Sequence, residues 1–221
     1  KLPGVQLSQA RTLAQAILQG DTLVIGGGTL KSPGSLSTVD LVNMRSLSRG
    51  QPTAFPDAPR FIAAPLRFDT RVEFVGGVNQ DVAWLPSAAV RDQAGSWTSK
   101  SNIVVPGRGS MAWAEVRWQS RHGYILAGGQ YHTGGGGDDF GFRDVLFYDG
   151  AGPAQQIGQL STVRSHAVAF ATTTHWFVAG GLEWLAPGSH RDSDLVEVID
   201  AADARVVRQL RMSAARYWIQ A

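Results

Sequence analysis

The segment Ile125-Leu-Ala-Gly-Gly129 is a short apolar run that ends in two glycines, and similar runs recur along the chain. The other three are Leu23-Val-Ile-Gly-Gly27, Phe74-Val-Gly-Gly77 and Phe177-Val-Ala-Gly-Gly181. The paired glycines of these runs are Gly26, Gly27, Gly76, Gly77, Gly128, Gly129, Gly180 and Gly181. The first glycines of successive pairs are 50, 52 and 52 residues apart. An even period of this length predicts a repeat protein in which each repeat is one supersecondary unit.

An arginine precedes each apolar run and keeps step with the glycines. The series is Arg11, Arg60, Arg108, Arg164 and Arg216, with intervals of 49, 48, 56 and 52 residues. We expect each arginine to open the strand that precedes the glycine pair. A third strand with an acidic residue is expected at residues 39–41, 81–84, 144–149 and 194–200, and a fourth is clearest at Trp97 and at residues 206–210. Four strands in each repeat predict a small antiparallel sheet as the repeating unit.

The composition agrees with an all-β fold. Among 221 residues there are 26 Gly and 7 Trp, and β-branched and aromatic residues occur in short runs, which favours brief strands joined by tight turns. The formal net charge is +2 and the arginines are spread singly, so no basic patch predicts nucleic-acid binding. No apolar run reaches the roughly 18 residues of a membrane-spanning helix, so membrane insertion is not expected. Because the chain has no Cys, it has no disulfide, no thiolate metal site and no cysteine nucleophile.

These features resemble the kelch family, whose repeat of about 50 residues folds as one four-stranded blade of a β-propeller. The resemblance rests on the arginine, the run into Gly-Gly, the stretch Asp144-Val-Leu-Phe-Tyr-Asp149 and the later Trp97, and it extends over residues 10–221. It implies a single kelch-like unit at residues 1–221. The implied repeats are residues 10–59, 60–107, 108–163 and 164–215, followed by a partial repeat at 216–221.

The resemblance implies an all-β, kelch-type propeller of about four four-stranded blades plus the first strand of a fifth. Residues 212–221 read as that first strand. Kelch relatives usually have more than four blades, so we expect this chain to be part of a larger propeller, completed by further blades of a longer chain or by a second chain. The alternative is that the last strand pairs with the first blade and closes a small ring.

Residues 10–18 admit two interpretations. Their composition is compatible with an amphipathic helix. In the repeat frame the same residues lie in the strand that follows Arg11. We expect the strand, because tertiary context overrides the helix propensity of a short window.

Two connections after the glycine pairs are long, at residues 130–143 and 182–193, and they carry the candidate ligand-binding residues. Connections at the same point of successive blades emerge on one face, so these two should be neighbours. Aromatic rings beside charged groups suit a polar ligand with an apolar face. The candidates are Tyr131, His132, Asp138, Asp139, Trp184, His190, Arg191 and Asp192. The plainer interpretation is a pair of solvated loops whose aromatic residues pack against the rim.

Three more specific sites find little support. Gly134 to Gly137 lack the Lys and Ser/Thr of a phosphate loop, and Asp138 with Asp139 supply only part of a calcium site, so a glycine-rich mobile loop is expected there. The five histidines show no zinc-type spacing, and we expect no metal or other cofactor. The repeated arginines are expected to bind backbone carbonyls between blades, although arginines near the axis could bind an anion.

We therefore expect a non-catalytic binding module that presents loops on one propeller face to a protein or glycan partner. The alternative is a carbohydrate-active propeller enzyme, mutarotase-like, or oxidase-like without a Cys-Tyr copper site. No Gly-x-Ser-x-Gly elbow supports nucleophilic catalysis, and Ser110 lacks the second glycine. Cellular location stays open, with a slight preference for an exported, periplasmic or extracellular protein.

Overall fold

The structure, a computed structural model, describes residues 6–30, 34–79, 81, 83–132 and 139–217, and at residues 132 and 139 it describes the backbone alone. This part of the chain consists of β-strands and turns, and the predicted all-β fold is confirmed. Within it, no helix has the length and apolar character that crossing a membrane would require. The chain divides into two compact units, Lys1–Gly109 and Ser110–Ala221. Each unit contains two of the predicted repeats, and their membership in a single domain stays a prediction.

The first unit contains two antiparallel sheets over its described residues. Its strands are β1 (Gln15–Gln19), β2 (Thr22–Gly26), β3 (Thr38–Asn43), β4 (Ser48–Arg49), β5 (Thr53–Ala54), β6 (Ala64–Phe68), β7 (Arg71–Val75), β8 (Ala88–Arg91) and β9 (Trp97–Lys100). One sheet has the order β1-β2-β3-β4 with β5 also paired to β3, and the other has the order β6-β7-β8-β9.

Side chains from both sheets form the core of the first unit. Val24 and Val39 come from the first sheet and Val72 from the second, and all three are buried. Phe55, Phe74 and Trp97 contact one another: the ring centroid of Phe74 lies 5.1 Å from that of Phe55 and 6.2 Å from that of Trp97, and Phe55 and Trp97 meet edge to face at 5.4 Å. Each sheet has an apolar face that it cannot bury alone, so stacking of the two sheets stabilises both.

The second unit also contains two antiparallel sheets over its described residues. Its strands are β10 (Ala112–Trp118), β11 (Arg121–Ala127), β12 (Gln130–His132), β13 (Asp139–Tyr148), β14 (Gln155–Ser165), β15 (Val168–Ala171), β16 (His175–Ala179), β17 (Leu182–Ala186), β18 (Ser189–Asp192), β19 (Leu195–Asp200) and β20 (Val206–Arg211). The larger sheet has the order β10-β11-β13-β14-β17-β18 with β12 also paired to β13, and the smaller has the order β15-β16-β19-β20.

The core of the second unit again joins its two sheets. Trp118 and Phe147 of the larger sheet pack with ring centroids 5.3 Å apart. Trp176 and Ile199 of the smaller sheet are fully buried in the same cluster. Strand β10 alternates strictly between buried and exposed residues, the pattern of a strand with one face in a core.

Each repeat has two consecutive glycines with positive φ directly after its second strand. The pairs are Gly27-Gly28 (φ 66° and 93°), Gly76-Gly77 (70° and 96°), Gly128-Gly129 (65° and 102°) and Gly180-Gly181 (66° and 87°). The predicted pair Gly26-Gly27 is therefore wrong by one residue, because Gly26 is the last residue of β2. A Cβ at Gly128 would lie 2.3 Å from the carbonyl oxygen of Arg164, so a larger residue cannot occupy this position without a backbone shift.

The second glycine of each pair connects its repeat to the next one. Its N–H donates to the main-chain carbonyl of the following repeat arginine. The four bonds run from Gly28 to Arg60 (3.0 Å), Gly77 to Arg108 (2.9 Å), Gly129 to Arg164 (2.9 Å) and Gly181 to Arg216 (2.8 Å). Arg216 thus has the same backbone contact as the arginines that begin the other repeats.

The side chains of Arg11, Arg60 and Arg164 bind carbonyls of their own repeat, which corrects the predicted bonding between blades at these positions. Arg108 Nε donates to the carbonyl of Pro106, two residues before it, at 3.4 Å. Arg164 Nη1 donates to the carbonyls of Gly180 and Leu195 at 3.3 and 3.2 Å, and Nη2 pairs with the buried Glu197 carboxylate at 3.0 Å. Burial lowers the pKa of this guanidinium, and the negative charge of Glu197 opposes that effect. Equivalent bonds to own-repeat carbonyls are made by Arg11 and Arg60.

The repeat arginines do not open a strand, which corrects a second expectation. Strands β1, β6, β10 and β15 each begin four residues after the arginine. The residue two positions after the arginine has left-handed backbone geometry in every repeat. These residues are Leu13 (φ 57°), Ile62 (52°), Ser110 (53°) and His166 (56°). Recurrence at all four places shows that this strained turn is a property of the repeat.

The remaining strand predictions are confirmed except two. The segment predicted as a first strand at residues 212–221 forms bends and irregular backbone over its described residues 212–217. Residues 15–19 form β1, so the helical alternative for residues 10–18 is wrong. The fourth strands at Trp97 and at residues 206–210 are β9 and β20. The third strand of the second repeat is β8, and the predicted segment 81–84 precedes it and contributes an isolated bridge from Trp84 to Val78.

Candidate functional site

The two long connections of the second unit contain paired β-strands. In the first, β12 pairs with the start of β13, so that Tyr131 lies opposite Phe140. In the second, β17 and β18 form a hairpin in which Trp184 lies opposite His190. The sequence predicted these segments as loops because glycines and charged residues interrupt their apolar pattern. We refer to them as the first hairpin (β12 and the start of β13) and the second hairpin (β17 and β18).

Trp184 holds the two hairpins together. A Cβ at Gly141 would lie 2.3 Å from Trp184 Cδ1, so the absent side chain at Gly141 leaves the space that the indole occupies. On its other side, the indole meets the His190 ring edge to face at 5.2 Å between centroids. Trp184 is 9% exposed. The sequence predicted it as a ligand contact, whereas the structure places it inside, as the packing centre of the site.

Ser165 is the centre of a hydrogen-bonded cluster below the hairpins. Its Oγ accepts the indole N–H of Trp184 at 3.0 Å and donates to Gln130 Oε1 at 3.1 Å. The same oxygen lies 3.0 Å from His166 Nδ1. On the far side of the imidazole, Nε2 lies 3.0 Å from Ser110 Oγ. The backbone reinforces this last contact, since the His166 N–H donates to the Ser110 carbonyl at 2.9 Å.

The hydrogen-bonding capacity of Ser165 determines which imidazole nitrogen carries the proton. A serine hydroxyl has one donor hydrogen and two acceptor lone pairs. The hydrogen of Ser165 points to Gln130, so toward His166 the oxygen must accept, and Nδ1 is the protonated nitrogen. Nε2 is then an acceptor, and Ser110 donates its hydroxyl hydrogen to it. With these assignments, each hydrogen bond of the cluster has one donor and one acceptor.

His166 is neutral at physiological pH. Burial in the cluster, with a smaller contribution from the nearby His190, lowers the pKa of its imidazole from the ordinary 6.5 to about 4. A neutral ring with its proton on Nδ1 fits the cluster, because its Nε2 can accept the hydrogen of the Ser110 hydroxyl. The charge state and the hydrogen bonds therefore agree.

The outer surface of the hairpins has charged side chains and also exposed apolar side chains. Arg191 pairs with Glu183 at 3.0 Å across the second hairpin. His190 and Asp192 are exposed at the edge strand β18. Two apolar side chains also face solvent, Phe140 (40% exposed) and Leu185 (58% exposed). An extended edge strand with charged and aromatic neighbours is a surface that can bind a partner.

The predicted ligand residues are placed as follows. Tyr131 is half-buried on β12, and His190, Arg191 and Asp192 are exposed together on β18. Asp138 lies outside the described residues, as do Gly134 to Gly137 of the expected mobile loop. His132 and Asp139 are opposite each other in the strand pairing, and their side chains lie outside the described part of the chain.

Sequence reasoning missed three residues of the cluster: Ser110, Ser165 and Gln130. A signal for one of them was present, because Ser110 lies two residues after Arg108 just as His166 lies two residues after Arg164. Comparing equivalent positions of the repeats would have paired a hydroxyl with an imidazole. Within the described residues, no three His, Asp or Glu side chains come together as a metal site.

Comparison with known proteins supports the fold and says nothing about the site. No protein-family model matches the chain, and no curated protein sequence matches it. The chain is similar in structure to YjhT, with a TM-score of 0.66 and 11% sequence identity, over 87% of this chain and 67% of YjhT. At this level of identity the likeness establishes a shared all-β fold.

Proposed function

We propose that the repeats are kelch-type propeller blades, four in number, and that a fifth repeat begins at Arg216. The bond from the second glycine to the next arginine supports this proposal, because it recurs after the second strand of all four repeats. Stacked repeats that contact only their neighbours are stabilised by such interfaces. Further blades of a longer chain or of a second chain would complete the ring.

We propose further that the protein is a non-catalytic binding module for a protein or glycan partner. The observation that carries this proposal is the pair of hydrogen bonds from Trp184 to Ser165 and from Ser165 to Gln130, which joins the second hairpin to the first. Fixing a surface before binding removes the entropy loss of ordering it, about 0.5–1.5 kcal/mol for each flexible side chain. A surface prepared in this way favours recognition.

The chemistry of the outer surface suits such a partner. His190, Arg191 and Asp192 project from one edge strand and can donate and accept hydrogen bonds. Phe140 offers an exposed ring for stacking on an apolar face. The strand β18 also presents its outer main-chain edge, since it is the terminal strand of its sheet. A partner with both polar and apolar groups fits this combination.

The alternative, an enzyme that acts on a sugar, requires a carboxylate and an imidazole that cooperate in acid–base chemistry. At the cluster, the hydroxyls of Ser110 and Ser165 both contact the imidazole of His166. A carboxylate–imidazole contact does occur between Glu115 and His122 at 2.8 Å, but it lies on β10 and β11, outside the hairpins. The geometry therefore favours binding.

The test is a screen of the purified protein against a glycan array and a displayed peptide library, followed by variants. The triple variant His190→Ala, Arg191→Ala, Asp192→Ala should weaken every bound hit by at least about tenfold, the effect of losing about 1.4 kcal/mol. The matched control removes the same residue types elsewhere in the second unit, as His175→Ala, Asp203→Ala, Arg205→Ala. Equal affinity of the two triple variants would refute the proposal.

A further inference from the structure

The cluster below the hairpins contains three groups in the order that nucleophilic catalysis uses. A hydroxyl, Ser110, contacts an imidazole, His166, and a third group, Ser165, orients the imidazole from its other nitrogen. Both contacts are 3.0 Å, within hydrogen-bond reach. An alcohol with an adjacent base that is itself held in place is the general signature of an activated nucleophile.

The proton arrangement favours attack by Ser110. Ser165 Oγ accepts a hydrogen bond from the Nδ1–H of His166, and in this tautomer Nε2 is unprotonated and accepts from the Ser110 hydroxyl. The low pKa of His166 keeps Nε2 in this state throughout the neutral pH range. Ser110 itself is partly exposed.

The strained backbone at Ser110 does not contribute to this inference. Leu13 and Ile62 have the same left-handed geometry at the equivalent places of the first two repeats. What distinguishes the last two repeats is chemistry, because they place a hydroxyl and an imidazole where the first two have aliphatic side chains. The backbone contact from the His166 N–H to the Ser110 carbonyl then sets the distance between them.

We propose that Ser110 is a nucleophile activated by His166, and that it forms a covalent ester with activated acyl or phosphonyl donors. With a fluorophosphonate, Ser110 Oγ forms a bond to phosphorus while the phosphorus–fluorine bond breaks and fluoride leaves. The hydroxyl proton passes to His166 Nε2. This reactivity goes beyond the binding function proposed above and does not depend on it.

The expected rate is modest. A general base works best when its pKa is near the working pH, and the imidazole of His166 is a weaker base than an ordinary one. We therefore expect the acceleration due to His166 to lie below the usual range of about a hundredfold to ten-thousandfold, at about tenfold to a hundredfold over a serine without a base. Stoichiometric labelling is expected, with slow release of the adduct.

The experiment is labelling with a fluorophosphonate, followed by intact-mass measurement and peptide mapping of the modified serine. His166→Asn is the test variant, because Asn tolerates the left-handed backbone at this position. His175→Asn is its matched control. We expect one adduct on Ser110, none in Ser110→Ala, and a rate at least about tenfold lower in His166→Asn than in the control.

A second variant tests the proposal independently if the first variant misfolds. Ser165→Ala removes the hydroxyl that orients His166 and retains both Ser110 and His166, so it should also slow labelling. Circular dichroism and thermal unfolding test whether this variant folds. The proposal is overturned if the wild-type protein is not labelled at Ser110. It is also overturned if Ser110 reacts at the same rate in the folded His166 and Ser165 variants as in the wild type.

Discussion

The indole N–H of Trp184 donates to Ser165 Oγ over 3.0 Å, and this bond ties the second hairpin to the start of the fourth repeat. Ser165 follows Arg164, whose carbonyl accepts a hydrogen bond from the N–H of Gly129, two residues after the end of β11. The second hairpin is therefore anchored to the backbone junction between the third and fourth repeats. Substitutions at this junction should therefore also alter the stability of the hairpins.

The first prediction is that the side chain of Trp184 stabilises the second hairpin. Trp184→Ala removes the packing over Gly141 and the bond to Ser165, so the amides of β17 and β18 should exchange with solvent faster. Trp184→Phe keeps most of the packing and should cause a smaller increase. Hydrogen exchange followed by mass spectrometry measures both. Unchanged exchange of β17 and β18 in Trp184→Ala would show that other contacts hold the hairpin.

The second prediction concerns the glycine pairs. At Gly128, φ is +65° and an added Cβ would lie 2.3 Å from the Arg164 carbonyl oxygen, so Gly128→Ala should lower the free energy of unfolding by about 3 kcal/mol or more. Gly152→Ala is the control, because nothing lies within 4 Å of its added Cβ. The control should change stability by less than about 0.5 kcal/mol. Denaturant titration compares the two, and a similar small effect in both would contradict the assigned role of the pair.

The third prediction concerns the repeat arginines. Arg164→Ala leaves the carboxylate of Glu197 buried without its cation and should destabilise the protein by about 3–5 kcal/mol. Arg205 pairs with Asp203 at the surface, and its side chain is 82% exposed, so Arg205→Ala should change stability by less than about 0.5 kcal/mol. Thermal and denaturant unfolding measure both variants. Tolerance of Arg164→Ala would mean that the arginine does not stabilise the repeat.

The fourth prediction is a pH dependence of stability from His166. Its pKa in the folded protein is about 4, below the ordinary 6.5, so between these values the unfolded chain takes up a proton that the folded protein does not. The contribution of the neutral imidazole is complete above about 6.5 and is lost as the pH falls toward about 4, by up to about 3 kcal/mol. Unfolding titrations of the wild type and of His166→Asn isolate it, since the carboxylates are common to both. Parallel pH profiles of the two proteins would contradict the pKa shift.

The repeat could be predicted from the sequence because its signals are local. The apolar runs of the second strands and the glycines with positive φ follow directly from residue type. The register of the first repeat could not be decided in this way, since Gly26, Gly27 and Gly28 offer two pairs. Hydrogen bonding decides it, because it is the N–H of Gly28 that reaches the carbonyl of Arg60.

The site was harder to predict because its contacts join distant parts of the chain. The sequence indicated that the two long connections would be neighbours, and Trp184 packs over Gly141. It did not indicate that the indole would face inward, since burial depends on the space left by a glycine in another strand. The contact between Ser110 and His166 spans 56 residues and depends on the turn that each repeat forms after its arginine.

The most direct test of the central claim, that the hairpins form the binding surface, is the location of a bound ligand. Hits from the glycan and peptide screen would be titrated into isotopically labelled protein and the backbone and indole N–H signals followed by NMR. We predict that the shifted signals concentrate in residues 130–132, 139–143 and 182–193 and include the Trp184 indole N–H. Shifts concentrated instead on β20 or in the first unit, with the Trp184 signal unmoved, would contradict the account.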